Sequence, residues 1–311
     1  MNPKESKTRV LVTGATGYIG SKLAQKLMAQ SHHQIRVFVR NAANLPSFFK
    51  DAVEVFEGDT FQPDALNRAL KGIDLAYYLI HSMQAKDDFE RLDRLSAQNF
   101  REASIDAGVK RIVYLGGLGT KETASKHLLS RIETGEILSE KPGCIQTIWF
   151  RAGIIIGSGS ASFRIIRSLI HRLPVMTTPR WVHTLTQPIG VDNVLDYLEA
   201  AIDLKTDQNL KVDIGGETMS FKEMLLRAAK VMGRKRLILT MPLLSPRLSS
   251  YWLRLVTHVS FRVAKALVDG LKSETIVTND NAQKHFPEIS LLSCESAVQL
   301  ALEDREHTTV R

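Results

Sequence analysis

Only two cysteines, Cys144 and Cys294, occur in 311 residues. A disulfide framework is therefore not expected, and a reducing, cytoplasmic setting is. No apolar run reaches the roughly 18 residues needed to cross a bilayer. The opening MNPKESKTRV has no signal-like apolar core. No histidine or cysteine cluster has ligand spacing, so no metal site is expected. There is no G-x-S-x-G turn and no phosphate-loop lysine. The basic residues lack an aromatic stacking platform or a reading helix, which argues against nucleic acid as a partner. No internal repeat or low-complexity tract divides the chain.

What is present is positive charge, a net +8 at neutral pH with a pI near 9.4. Such a balance favours anionic partners, although scattered basic residues are more often a solvated face. The run 234-RKR-236 and the segment 247–272 are locally rich in them.

The first half alternates apolar runs with amphipathic stretches. Strands are expected at 9–13, 35–39, 52–58, 73–80, 110–117 and 144–153. Helices are expected at 20–30, from Pro63, at 87–107 and at 125–140. In the first helix Leu23, Ala24, Leu27 and Met28 share a stripe, and in the third Phe89, Leu92, Leu95, Phe100 and Ala103 would face inward. Alternation at this spacing implies right-handed βαβ units and an α/β, doubly wound parallel sheet of the Rossmann kind. After Gly157 the rhythm breaks at Pro174, Pro179 and Pro188. A helix (191–203), a strand (211–216) and a helix (220–232) follow. The chain thus reads as a dinucleotide domain over 1–157 and a smaller, irregular α+β lobe over 158–311, partly interleaved with the first.

The sharpest local signal is TGATGYIGS, Thr13 to Ser21, directly behind the first strand. Gly14 permits the strand-to-helix turn, Gly17 lets a diphosphate approach the backbone, and Gly20 lets the helix pack closely on the sheet. Amides at the helix start would then face the phosphates. Arg40 ends the second strand, where an acidic residue would read the ribose of NAD. An arginine there can pair with a 2′-phosphate, so NADP(H) is preferred and NAD(H) is the alternative. Asp59, in EGDT, is placed to accept from the adenine amino group.

TGATGYIG, GDT, AQNFREASIDAGVKRIVYLGG and RAGIIIG (151–157) resemble the extended and atypical short-chain dehydrogenase/reductase superfamily. The stretches SGSASFRIIRSLIHRLPVMTTPRWVHTLTQPIGVDNVL and MPLLSPRLSSYWLRLVT resemble its bacterial, NAD(P)-binding YbjT-like subgroup, which carries a C-terminal domain of unknown function. The resemblance implies that Thr13, Gly14, Thr16, Gly17, Tyr18, Ile19 and Gly20 line the diphosphate and that Asp59 and Thr60 reach adenine. It also implies that Leu79, Ile80 and His81 pass the ribose and nicotinamide, with Asn99 bracing the region.

The reductases of this superfamily use serine, tyrosine and lysine, and here the pattern breaks. Gly116 and Gly117 stand where the serine is expected. On the following helix His127 and Arg131 replace the tyrosine and lysine. A histidine can exchange protons near neutral pH, and an arginine keeps the positive charge. Spacing of four puts both on one helical face, yet His127 reads equally as an ordinary helix residue. Quinone-like acceptors need little more than nicotinamide in a dry apolar slot. Ile154 to Ile156, Met176, Trp181, Leu185, Trp252 and Leu255 could line one, or could be core. His171 and His183 are secondary candidates.

Three readings follow. The first is an NADP(H)-dependent oxidoreductase reducing a small apolar or quinone-like molecule. The second is a cofactor-binding sensor or assembly factor acting on a protein partner. The third is a lipid-handling protein touching the membrane periphery through the basic, amphipathic segment 245–272. The oligomeric state is open.

Overall fold

The computed structural model describes residues 7–30, 32–49, 51–81, 88–240, 269–270 and 273–308. The amphipathic segment 245–272, with Trp252 and Leu255, lies outside them apart from residues 269 and 270. The described residues fall into two compact units. One is drawn from Met1–Gly116, Ser130–Phe150 and Leu195–Val212, the other from Gly117–Leu129, Arg151–Val194 and Asp213–Arg311.

The chain begins β1 (Thr8–Thr13), α1 (Tyr18–Met28), β2 (His33–Val39), β3 (Glu54–Glu57), α2 (Pro63–Leu70), β4 (Leu75–Tyr78), α3 (Phe89–Asp106), β5 (Arg111–Gly117), α4 (Lys126–Leu138) and β6 (Gln146–Ala152). It continues through β7 (Ile155–Ile156), α5 (Ala161–Arg172), β8 (Val175–Thr178), β9 (Leu185–Thr186), β10 (Ile189–Gly190), α6 (Val191–Ala200) and β11 (Leu210–Ile214). It closes with β12 (Met219–Ser220), α7 (Phe221–Val231), β13 (Leu237–Thr240), α8 (Asn281–His285) and α9 (Cys294–Thr308).

Seven strands form the main sheet in the order β11-β6-β5-β4-β1-β2-β3. Strands β1 to β5 pair in parallel, with Val10 opposite both Ile35 and Leu75. Every residue of β4 and β6 is buried, which is why these strands read as continuous rather than alternating apolar runs. The chain winds outward from β1 to β3, then returns past β1 to β4. That reversal is the switch point of a doubly wound, Rossmann-like sheet, and it opens between the carboxyl ends of β1 and β4.

The helices meet the sheet as their stripes require. Leu23, Ala24 and Leu27 of α1 are buried. Of the face expected on α3, Phe100 and Ala103 are buried and Phe89 and Leu92 half-buried, but polar residues share it. Leu95 is exposed, whereas Asp93, Ser96, Arg101 and Ser104 are buried beside Phe100 and Ala103. Each polar group on that face is satisfied. Asp93 accepts from Ser130, Ser104 donates to the Phe100 carbonyl, and Arg101 donates to the Ile137 carbonyl. A helix face can be polar and still buried when its donors and acceptors are paired. Across the sheet, Arg111 donates to the Ala201, Ile202, Leu204 and Thr206 carbonyls, fixing the chain that leaves α6.

The second unit has its own core. Phe163, Ile166 and Ile170 of α5 pack with Met224, Leu225 and Ala228 of α7 and with Val298 and Ala301 of α9. Ile154, Ile156 and Met176 are buried within this cluster, and Trp181 packs against it beside Phe221. Of the two readings these residues allowed, the structure makes them core. His183 is hydrogen-bonded to Thr240, and His171 is exposed in the last turn of α5.

Candidate active site

The glycine loop closes the gap at the switch point. The Gly17 amide donates to the Gly14 carbonyl at 2.8 Å, making the turn. Gly14 has φ +70°, a conformation that side chains resist. A β-carbon there would lie 2.4 Å from the Leu79 carbonyl oxygen, and one on Gly20 would lie 2.4 Å from the Gly14 carbonyl oxygen. The loop therefore lies flush against the end of β4 and against its own helix. At Gly17 the surroundings are open, the nearest atom to an added β-carbon being the Gly14 oxygen at 3.2 Å. Thr16 and Gly17 are exposed, Tyr18 and Ile19 half-buried.

Helix α1 starts at this loop with no side-chain cap and no acidic residue in its first turn. Its leading amides and the positive end of its dipole are thus left for an outside anion. Thr13 is fully buried, and its hydroxyl donates to the Tyr77 carbonyl and accepts from the Leu79 amide. Its part in the site is to pin the end of β4 beside the loop, not to offer its side chain to a ligand.

The outer rim comes from the ends of β2 and β3. Arg40 is exposed just past β2, and its guanidinium makes no hydrogen bond or ion pair among the described residues. Glu57 opposite Val39 accepts from the Ala42 amide and so fixes the chain after Arg40. Asp59 accepts from the Phe61 amide through Oδ1. Thr60 is buried, its hydroxyl accepting from Ser96 in a chain from Tyr78 and donating onward to Asp59 Oδ1. The Asn99 side chain donates to the Thr60 carbonyl at 2.9 Å, the brace implied by its position. Burial pushes the Tyr78 phenol well above its ordinary range, so it serves this chain as a neutral group. Leu79 and Ile80 are half-buried after β4 and His81 is exposed.

This arrangement fits a dinucleotide. A bare helix start meets the diphosphate, and a cation stands where the second strand ends. Residues 14–142 match the family model described as NAD(P)H-binding.

Over these residues the chain resembles an NAD(P)H-binding domain.

A ceramide reductase of Caulobacter vibrioides is 27% identical over 242 residues, 75% of this chain and 73% of its own. A triphenylmethane reductase of Citrobacter, complexed with NADP(H), has the same fold at a TM-score of 0.75 and 21% identity, over 94% of this chain and 99% of its own. An NADPH-dependent quinone oxidoreductase of Escherichia coli follows at 0.73 and 18%, over 93% and 98%. The two structural likenesses concern the fold alone.

Within residues 14–142, α4 carries no tyrosine–lysine pair. The Tyr-x-x-x-Lys spacing does occur once in the chain, from Tyr18 to Lys22. It lies at the start of α1, with Lys22 Nζ 5.8 Å from the Tyr18 ring centroid, and belongs to the glycine loop rather than to α4. His127 is half-buried one turn before Arg131. Arg131 reaches the carboxyl end of β5, donating to the Leu115 carbonyl at 3.1 Å, and its own carbonyl accepts from the Tyr114 phenol. Burial pushes that phenol up to about 12.

The glycine at the expected serine position has a physical reason that sequence reading missed. A β-carbon on Gly116 would lie 2.5 Å from Trp149 Nε1, and one on Gly135 of α4 would lie 2.2 Å from Trp149 Cε2. The indole of β6 fills the space that both glycines leave, with Lys211 Nζ 5.4 Å from its centroid. A serine side chain at 116 has no room while Trp149 stays. The available signal was Gly135 itself, since a glycine inside a helix marks a close approach. Gly135→Ala is expected to cost about 1–3 kcal/mol through overpacking, read from the urea midpoint. An unchanged midpoint would show that the indole can withdraw.

Proposed function

We propose that the protein is an NADP(H)-dependent oxidoreductase that passes a hydride to an apolar, quinone-like acceptor. The observation that supports it most directly is Arg40, an exposed guanidinium at the end of β2 with no side-chain partner among the described residues. It stands beside a glycine loop open to a diphosphate. An arginine here can meet a 2′-phosphate with two parallel hydrogen bonds. When bound, the nicotinamide supplies the hydride. The chain's own part is to hold the diphosphate on the α1 amides and to keep the end of β4 in place through Thr13. Reduction of a quinone needs the hydride and one proton, which water or His127 can deliver, so the absence of the tyrosine–lysine pair is no obstacle. The acceptors in the relatives' names, a ceramide, a triphenylmethane and a quinone, are largely apolar, in keeping with this class.

Arg40→Ala is expected to weaken NADPH by about 2 kcal/mol, roughly 30-fold, and to leave NADH nearly unchanged. Calorimetric titration of both nucleotides checks this, and equal losses would assign the selectivity to another residue. Steady-state oxidation of NADPH should be seen with at least one member of a panel of quinones, enones and aliphatic ketones. A protein that binds NADPH tightly yet turns over none of them would instead be a cofactor-binding sensor. That second reading is favoured by Gly116, whose missing side chain is already explained by Trp149 and leaves no serine for carbonyl chemistry.

A further inference from the structure

Strands β8 and β13 lie in the second unit and pair in parallel, with Val175 opposite Leu237 and Thr177 opposite Leu239. Alternation sends Met176 and Ile238 into the core and the intervening side chains outward. Val175, Leu237 and Leu239 are 48%, 54% and 46% exposed, the three most exposed large apolar side chains among the described residues. One short strip therefore gathers the strongest apolar exposure on the described surface. Exposed apolar residues scattered singly need no explanation, but a cluster does.

The two segments that carry the strip hold charge of one sign. Residues 161–180 and 229–240, which contain both strands and lead into them, hold eight lysines and arginines and no aspartate or glutamate. The chain as a whole has 41 basic and 33 acidic residues, so this separation is far from its average. Arg172, Arg234 and Lys235 are exposed. Arg236 folds back to the Ile170 and Lys235 carbonyls, bringing the start of β13 to the end of α5. The crowding is felt by His171, held below its ordinary value by partial burial and then by Arg167, Arg234 and Arg236. Residues 241–268, which follow β13 in the sequence, contain no acidic residue either.

We infer that this face is a docking surface for a bilayer bearing anionic headgroups. Aliphatic side chains at the centre enter the acyl boundary while the cations around them meet lipid phosphates, the two-part complementarity of an interfacial site. A second copy of the chain fits poorly. Three aliphatic side chains are far less than a stable dimer buries, and a two-fold pairing would set cation against cation. Nucleic acid would use the charge but has no use for an aliphatic strip. The inference does not rest on the proposed oxidoreductase activity.

Co-sedimentation of the full chain with vesicles tests it. The protein should bind an equimolar mixture of phosphatidylcholine and phosphatidylglycerol at least about tenfold better than phosphatidylcholine alone, and salt should weaken the binding. Arg234→Glu with Lys235→Glu should lower binding to the mixed vesicles by about tenfold or more. Leu237→Ser with Leu239→Ser should also lower it, although no charge has changed. All four side chains are exposed, so both variants should melt as the parent does. Leu291→Ser with Leu300→Ser, elsewhere on the second unit, should bind normally. No binding by the parent chain would overturn the inference. So would parent-like binding by either β13 variant. Duplex DNA bound as tightly as the mixed vesicles, insensitive to the leucine changes, would make the face a polyanion site instead. A parent dimer that the leucine changes dissociate would make it a self-interface.

Discussion

Asp213→Asn is expected to lower the unfolding free energy by about 3–5 kcal/mol, enough to remove a large share of the stability of an ordinary domain. Asp213 has no solvent exposure, and Arg151 is almost as deeply buried. Their side chains meet as a fork, Nε to Oδ1 at 2.6 Å and Nη2 to Oδ2 at 2.7 Å. The remaining valences are used as well. Asp213 Oδ2 accepts from the Thr278 amide and hydroxyl, and Arg151 Nη1 donates to the Gly119 carbonyl. The cluster thus ties the ends of β6 and β11 to the turn after β5 and to the strip of chain around Thr278. Neutralising the carboxylate leaves a buried guanidinium without its counter-charge, and that uncompensated charge sets the cost. Arg151→Met combined with Asp213→Leu removes both charges and should recover most of the loss, because a buried pair often gains little over well-packed apolar residues. Urea unfolding of Arg151→Met alone, Asp213→Leu alone and the double variant measures the coupling directly. Additive single losses would show that the fork does not act as a unit.

The parts of this molecule that were legible in the sequence are those in which neighbouring residues determine the structure. Buried strands announce themselves as runs such as RVLVT, and a turn behind such a run shows its glycines at spacing three. The stripe Leu23, Ala24, Leu27 on α1 is of the same kind. Legibility failed where the deciding neighbour is distant. On α3 the apolar stripe missed Asp93, Ser96 and Arg101, which are buried by partners on α4, on the approach to α2 and in the chain after α4, and a count of apolar residues gives such positions no weight. Gly116 looked like the loss of a catalytic serine. Its cause is Trp149, 33 positions later, which packs against Gly116 and Gly135 together. Ile154, Ile156 and Met176, which read as slot or as core, are core for a similar reason. Their partners on α5, α7 and α9 come from segments that periodicity alone cannot bring together. Thr13 shows the same limit at the site itself, since its hydroxyl is spent on Tyr77 and Leu79, 64 and 66 positions on.

Gly17→Ala is expected to weaken cofactor binding strongly while leaving the fold intact, a combination that Gly14→Ala should not give. Gly17 is the N-cap of α1 with φ −89° and ψ 167°, an extended conformation open to any residue. An added methyl meets only the Gly14 oxygen, at 3.2 Å, which a shift of a few tenths of an ångström relieves. The stability change should stay within about 1 kcal/mol, the scale of an altered cap. Gly14→Ala should behave differently, because a positive φ and a backbone oxygen 2.4 Å away leave no such escape, and it should melt at lower temperature. In binding, the Gly17 methyl projects from the open side of the loop and lifts a diphosphate off the amides at the start of α1. Loss of one or two charge-assisted hydrogen bonds corresponds to about 2–3 kcal/mol, roughly 30- to 150-fold. Because NADPH and NADH share the diphosphate, both should lose affinity equally, in contrast to Arg40→Ala, which should discriminate between them. Calorimetry with both nucleotides on both variants, beside their melting curves, separates the two contacts. A Gly17→Ala protein that melts normally and binds NADPH as the parent does would place the diphosphate away from this loop, and the proposed chemistry would have to be sought elsewhere in the molecule.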